Sequence, residues 1–350
     1  MALWGGFVLA LAFLALTITN ASWLAPYPAG APKQIAHRAL APQVRGSWDQ
    51  ECTATAIETP YHRHIANTRD SILRADRMGA WLVEVDPQVT ADGEVVLLTE
   101  PTLGCATEGR GPVSSATLER MRELDAGFGY QLLEETGPVH PFRSEALTIP
   151  TLGEIARAIP RQARLMIHLN GDAALADAVA GALKMAERDP GAKGDAFYGT
   201  APAIARIREL YPQAWAFTAQ EARQCTADYK LTGWTGIVPA SCESGTMLIA
   251  LDDQALLWGW PNRLIARLES VGAKIIMEAP GLPPPGHVKG ITLPEQLTEV
   301  PSSFNGYVWT DDAFTTLPAL IPRFDNRTQE EIDASQAALE RRRKSAAQSE

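Results

Sequence analysis

Short β-rich runs separated by helical patterns recur along most of the chain, and that alternation limits the available folds more than any other feature. Candidate strands lie at 34–37, 81–86, 94–99, 165–169, 196–198, 214–217, 236–239, 274–278 and 306–309. Helical patterns fill several of the gaps, at 67–78, 115–124, 152–158, 173–188, 201–210 and 262–271. Strands joined through helices return parallel to one another, so the pattern predicts βαβ units. Eight or nine such strands over about 290 residues predict a TIM-like (β/α)8 barrel in a single α/β domain rather than an open sheet.

The composition supports a packed core, with 46% hydrophobic and 21% charged residues among 350. Lys+Arg 31 against Asp+Glu 41 gives a formal charge of -10. A sequence-independent grip on nucleic acid needs a cationic surface, so no nucleic-acid partner is expected. No charge precedes Lys33, and residues 7–18 are almost wholly aliphatic. Residues 1–25 therefore read as a signal peptide or an uncleaved membrane anchor, with the anchor favoured because Lys and Arg are missing ahead of the apolar run. Small-residue cleavage sites stand at Thr19-Asn20-Ala21 and Ala29-Gly30-Ala31. The barrel is placed at 33–324, outside the cytoplasm (periplasmic or membrane-anchored). A polar helical tail at 325–350, ending in Arg341-Arg342-Arg343-Lys344, is expected to be solvated and frayed.

Four cysteines, Cys52, Cys105, Cys225 and Cys242, allow three pairings, and none has zinc-like spacing. Four unrelated thiols are one reading. In an oxidising compartment the preferred reading is Cys52–Cys105 with Cys225–Cys242, each tying loops that a barrel puts on one face.

In such a barrel the C-terminal ends of strands carry the site. His37-Arg38 ends the first strand, Glu84 and Asp86 share one face of the second, and His168 lies within the apolar run 165–169. An imidazole, a guanidinium and two same-face carboxylates suit chemistry on a phosphate ester. Arg forks onto phosphate oxygens, carboxylates hold a hard divalent cation, and His moves a proton near neutral pH. The structural alternatives are an Arg–carboxylate pair capping the barrel and a satisfied core histidine. Asp92-Gly93 predicts a two-residue hairpin. If Ala91 pairs with Glu94, Asp86 falls opposite Thr99, a residue that cannot serve as an acid or base at neutral pH.

The order of Ile35-Ala36-His37-Arg38, Asn67-Thr68, Glu84-Val85-Asp86, Thr90-Ala91-Asp92-Gly93, Pro101-Thr102-Leu103, Pro150-Thr151-Leu152 and Trp309-Thr310-Asp311 resembles the glycerophosphodiester phosphodiesterase family from about residue 33 to 315. It looks closest to a bacterial branch with an N-terminal apolar segment, which Asn20 to Trp23, Cys52-Thr53-Ala54, Gly233-Trp234-Thr235-Gly236 and Trp258-Gly259-Trp260-Pro261-Asn262 also resemble. The resemblance implies a TIM-like barrel and metal-assisted acid/base cleavage of a glycerophosphodiester. It implies His37 as a catalytic acid/base, Arg38 as a phosphate ligand, and Glu84 and Asp86 as ligands to calcium or magnesium. Several positions depart from the family pattern. Ala39 stands for Gly after His-Arg, Ala66 for an acidic residue, Thr99-Glu100 for His-Asp, and His168-Leu169-Asn170 for Glu-x-Lys. His168 as a nitrogen ligand would favour zinc or manganese.

His62, His64 and His140 read as solvated loop histidines, and Trp258 and Trp260 as loop packing rather than a substrate mouth or a lipid contact. Two readings remain. One is a phosphoric diester hydrolase, impaired or with an altered substrate. The other is an inactive, cation-free relative that binds a ligand or partner.

Overall fold

The computed structural model describes residues 2–45, 52–134, 137–143 and 145–349. Met1 and Glu350, the ends of the expected leader and tail, lie outside them. Eight strands belong to one parallel sheet: β1 (Lys33–Ala36), β2 (Leu82–Val85), β3 (Leu165–Leu169), β4 (Ala196–Gly199), β5 (Trp215–Phe217), β6 (Thr246–Ala250), β7 (Lys274–Glu278) and β8 (Tyr307–Thr310). They alternate with helices α2 (Arg69–Arg77), α3 (Leu152–Ala158), α4 (Ala173–Met185), α5 (Ala201–Leu210), α6 (Ala219–Thr232), α7 (Asn262–Ser270) and α8 (Ala313–Leu320). Helix α1 (Ala2–Thr19) precedes this series and α9 (Gln329–Ser349) follows it. The fold class is the expected TIM-like (β/α)8 barrel. The chain divides into two compact units.

The larger unit comprises Gln34–Ala216, Thr292–Pro294 and Thr310–Glu350. Its strands pair in chain order, with Ile35 opposite Leu82, Val83 opposite Leu165 and Met166 opposite Ala196. Side chains alternate across a sheet, so Val83, Val85, Leu165, Ile167, Leu169 and Phe197 share one face. They are buried in one cluster with Ile72, Ile155, Val179, Leu183, Ile204 and Ile207 of the helices. Each such aliphatic side chain contributes about 1.5–3 kcal/mol. The same alternation leaves Glu84, His168 and Tyr198 on the opposite face. Helix starts are fixed locally: Thr68 caps α2, Asp172 caps α4, and Thr151 with Glu154 forms a capping box at α3.

Three expectations for this unit are corrected. The hairpin after Asp86 pairs Pro87 with Leu97 and Val89 with Val95, one residue out of the expected register. Its loop has three central residues, with Gly93 at φ 83° and the Thr90 N–H donating to the Glu94 carbonyl at 2.9 Å. Asp86 therefore faces Leu98, whose N–H donates to the Asp86 carbonyl at 2.9 Å. The tail is docked rather than frayed around its basic run. Ala338 and Leu339 are buried, and Arg342 pairs with Glu58 at 2.8 Å and Asp312 at 2.6 Å. Apolar side chains one turn ahead of the arginine carry it inward, a signal masked by the charged stretch around it. His62 and His64 are buried, not solvated. His62 packs on Phe314 with ring centroids 4.7 Å apart, and burial pulls its imidazole down to about 3. His64 Nδ1 lies 2.8 Å from Asp70. The half-buried His140 turns Nδ1 toward the Tyr130 carbonyl at 3.1 Å.

The smaller unit comprises Met1–Lys33, Phe217–Ile291 and Glu295–Trp309. Thr246 of β6 pairs with Lys274 of β7, and Ile276 with Tyr307 of β8. Met247, Ile249, Ile275 and Met277 bury against Tyr229, Leu264, Leu268 and Phe304. The strand expected at 236–239 is absent; the unit's strand is β6, ten residues on. Gly236 takes a left-handed turn at φ 83°, and Ile237 is exposed, so this apolar pair does not mark a buried strand. Trp260 packs on Phe304 with ring centroids 5.9 Å apart, as expected, while Trp258 is partly exposed and donates through Nε1 to the Lys230 carbonyl at 3.3 Å. Leu11, Phe13, Leu14 and Ile18 of α1 are exposed. Among the described residues no helix is long and apolar enough to cross a membrane. Both preferred disulfides are present, Cys52–Cys105 in the larger unit and Cys225–Cys242 in the smaller.

Candidate active site

The turn that leaves β1 carries His37, Arg38 and Ala39. Arg38 and Ala39 both adopt left-handed backbone, at φ 55° and 60°. This conformation costs a non-glycine residue about 1–2 kcal/mol, which is the physical reason a glycine suits the third position. The strained turn points the Arg38 N–H at Glu84, whose Oε2 accepts it at 2.6 Å.

Glu84, fully buried on β2, also accepts from the Tyr198 hydroxyl through Oε1 at 2.9 Å. Burial, and then the neighbouring charge of Asp86, push its carboxyl well above the ordinary range. Asp86 behaves oppositely. Burial works against its charge, but the hydrogen bond from His168, with Arg38 and Asn67 beside it, holds it below the ordinary value. His168 Nδ1 lies 2.9 Å from Asp86 Oδ1 and 3.7 Å from Glu84 Oε1. The imidazole stacks on Tyr198, the residue paired with it across β3 and β4, at 4.3 Å between centroids.

Asn67 completes the shell around Asp86. Its Nδ2 donates to Asp86 Oδ2 at 2.8 Å and to Thr99 Oγ1 at 3.0 Å, and its Oδ1 accepts the Asp86 N–H at 2.9 Å. Thr99 Oγ1 stands 3.3 Å from Asp86 Oδ2, so Thr99 reaches the carboxylates as expected even though the register differs. Glu100 is buried and accepts from the Thr53 hydroxyl at 2.5 Å, next to the Cys52–Cys105 disulfide.

His37 is buried, with Nδ1 at 2.6 Å from Asp311 Oδ1. An ionised aspartate only accepts, so Nδ1 carries the proton and Nε2 is the basic nitrogen. The Arg38 guanidinium loses solvation on burial, yet the charges of Asp86, Glu100 and Glu84 raise its affinity for its proton. It stays cationic beside the carboxylates.

One ligand atom each from Glu84, Asp86 and His168 lies within 4.8 Å of the others. Two carboxylates and an imidazole converging at that spacing fit a divalent cation. The structure thus brings together Arg38, Glu84, Asp86, His168 and Thr99 within the larger unit, while His37, one residue before Arg38 in the chain, turns its Nδ1 to Asp311. Ala66 is half-buried beside Asn67, and Asn170 is exposed just past β3. Sequence reasoning gave no role to Asn67, Tyr198, Glu100 or Asp311. Asn67 and Asp311 stood in motifs already singled out, and Tyr198 was reachable from the period-two alternation of β4.

Residues 60–175 match the model of the glycerophosphoryl diester phosphodiesterase family. An uncharacterised protein of Mycobacterium tuberculosis is 34% identical over 116 residues, 30% of this chain and 37% of that protein. Glycerophosphodiester phosphodiesterase 1 of Bos taurus is 30% identical over 143 residues, 41% of this chain and 39% of that protein. The chain therefore spans about two fifths, or less, of the length of the curated relatives it matches. The crystal structure of the glycerophosphoryl diester phosphodiesterase domain of the mycobacterial protein is 19% identical, with a TM-score of 0.57 over 84% of this chain and 99% of that one. An Oleispira antarctica phosphodiesterase in complex with the product sn-glycerol-3-phosphate is 18% identical, with a TM-score of 0.52 over 83% of this chain and 97% of that one. Both likenesses are of fold.

Proposed function

We propose, from the match of residues 60–175 to the glycerophosphoryl diester phosphodiesterase family, that the chain is a phosphoric diester hydrolase acting on a glycerophosphodiester. The observation that carries the reading is the convergence of Glu84, Asp86 and His168 within 4.8 Å on the strands that follow His37-Arg38. Glu84, Asp86 and His168 would hold a divalent cation, which when bound supplies neutralisation of phosphate charge. Calcium or magnesium suits the carboxylates, and the imidazole shifts the preference toward zinc or manganese.

The chain's own groups divide the remaining work. Arg38, fixed by the turn and kept charged by its acidic neighbours, binds a phosphate oxygen. Asp311 orients His37 through its Nδ1. His37 Nε2 then takes a proton from the attacking hydroxyl or gives one to the leaving oxygen as the P–O bond breaks. Thr99 offers no second proton-transfer group, and no cation stands at Asn170, so turnover is expected to be slow. Loss of one of two such groups alone costs about 10²–10⁴-fold.

A second reading, a ligand-binding relative without catalysis, is favoured by the saturation of Asp86 by His168, Asn67 and Thr99. We place the domain outside the cytoplasm, attached to or released from a membrane. The two disulfides and the exposed apolar side chains of α1 support that placement.

Hydrolysis of glycerophosphodiesters and an aryl phosphodiester, with and without divalent ions, tests the proposal. Ion-dependent product formation lost in His37→Ala supports it. No hydrolysis together with retained ligand binding supports the second reading.

A further inference from the structure

We propose that the C-terminal helix completes the active site, with Arg342 acting as a positioning residue for His37. This inference rests on the hydrolase reading for its effect on rate, though not for the geometry it asserts. The link runs through the Asp311-Asp312 pair that joins β8 to α8. Asp311 holds His37 Nδ1 at 2.6 Å through its side chain, and its carbonyl accepts from Gln43 Nε2 at 2.8 Å. Asp312, 1% exposed, caps α8 by accepting the Thr315 N–H at 3.2 Å, and its other oxygen takes Arg342 Nη1 at 2.6 Å.

Two adjacent buried carboxylates are costly unless each is compensated, because an unpaired charge in a low-dielectric site drives either protonation or movement. Asp311 has His37, and Arg342 supplies a cation for Asp312. The guanidinium is itself fastened from three further sides, one of them the Thr292 carbonyl, which accepts from Nη1 at 3.2 Å. Its Nε donates to Glu58 at 2.8 Å, and its Nη2 donates to the Tyr61 hydroxyl at 2.9 Å. Burial alone would weaken the arginine's hold on its proton, but Asp312, Tyr61 and Glu58 strengthen it, so its charge is permanent. Removing it leaves Asp312 uncompensated beside the aspartate that orients His37. The turn then relaxes toward solvent and carries Asp311 with it. A displacement near 1 Å at a catalytic group costs up to about 10²-fold in rate.

The experiment compares Arg342→Ala, Arg342→Lys and Glu58→Ala in the full chain. Glu58→Ala loosens the same side chain without touching Asp312, and separates a structural strap from a positioning role. The first readout is kcat and KM for whichever phosphodiester the wild type cleaves. The second is exchange of the His37 Nδ1 proton with water, followed by nuclear magnetic resonance of histidine-labelled protein. Arg342→Ala is expected to lower kcat about 10–100-fold, leave KM within about threefold and speed proton exchange at least tenfold. Arg342→Lys, which keeps charge without the fork, should recover part of both. Glu58→Ala should leave kcat within about threefold while lowering the melting temperature. Unchanged proton exchange in Arg342→Ala, or an equal effect of Glu58→Ala, overturns the inference. A wild type that cleaves no phosphodiester overturns the hydrolase reading instead, and proton exchange then decides this inference alone.

Discussion

Asn67 is the neutral clamp on Asp86, and replacing it separates hydrogen bonding from backbone strain. The side chain makes three contacts at 2.8, 2.9 and 3.0 Å, two of them to Asp86, and is 2% exposed. Truncation to Ala removes a bond to an ionised carboxylate, worth about 1.5–3 kcal/mol, and orphans the buried Asp86 N–H at about 1–3 kcal/mol. Asn67 also sits at φ 60°, a conformation that Asn tolerates better than Ala. Asn67→Ala is therefore expected to cost about 3–5 kcal/mol. Asn67→Gly loses the same bonds without the left-handed penalty of about 1–2 kcal/mol, but pays about 0.5–1 kcal/mol in chain entropy. It should be the milder change by about 0.5–1 kcal/mol. Urea unfolding at neutral pH reads both values, provided the slope with denaturant is unchanged. A loss below about 1 kcal/mol for Asn67→Ala, or a glycine variant less stable than the alanine one, would refute the clamp.

Other consequences concern charge and cross-links. Asp195→Ala would strand Arg188, which is buried and bonded to both Asp195 oxygens at 2.7 Å, and should cost about 3–5 kcal/mol by chemical denaturation. Replacing Cys52 and Cys105 by Ser opens a closure spanning 53 residues and should cost about 2–4 kcal/mol, with the loss absent when wild type is measured under reducing conditions. The folded Glu84 carboxyl sits above its unfolded value of about 4.3, so its contribution to stability is full below that value and declines as pH rises toward the folded one. Asp86 is depressed, so its contribution is present above about 3.9 and lost on acidification through its lower folded value. A cation binding here competes with the raised proton affinity of the Glu84 carboxyl. Calorimetry across a pH series should therefore find cation binding that tightens as pH rises, and an affinity independent of pH would count against it.

The fold was readable because periodicity reports burial directly. The run 165–169, the helix 152–158 and the strand 274–278 match the structure at both ends. What was lost concerned backbone geometry and distant partners. One residue in a hairpin loop shifted the register at Asp92-Gly93, since loop length depends on which residue takes the left-handed conformation. At 236–239, Gly236 closes the short helical turn 233–235, and the apolar residues after it read as a strand without being buried. His37, Arg38, Glu84, Asp86 and His168 were legible because their residue types and same-face spacing point to one chemistry. Asp311 and Asn67 act through hydrogen bonds to residues 274 and 19 positions away, which no local pattern encodes. Arg342 was hidden for a related reason: in a run of four basic residues, only the fold shows which one turns inward.

The central claim is that Glu84, Asp86 and His168 form a single divalent-cation site beside His37. Titration calorimetry with Mn²⁺ on the wild type, set against the combined Glu84→Ala and Asp86→Ala variant, tests it most directly. One saturable site in the wild type, abolished in the folded variant, is the predicted result. The same binding curve for both proteins, or no binding to either, would contradict it.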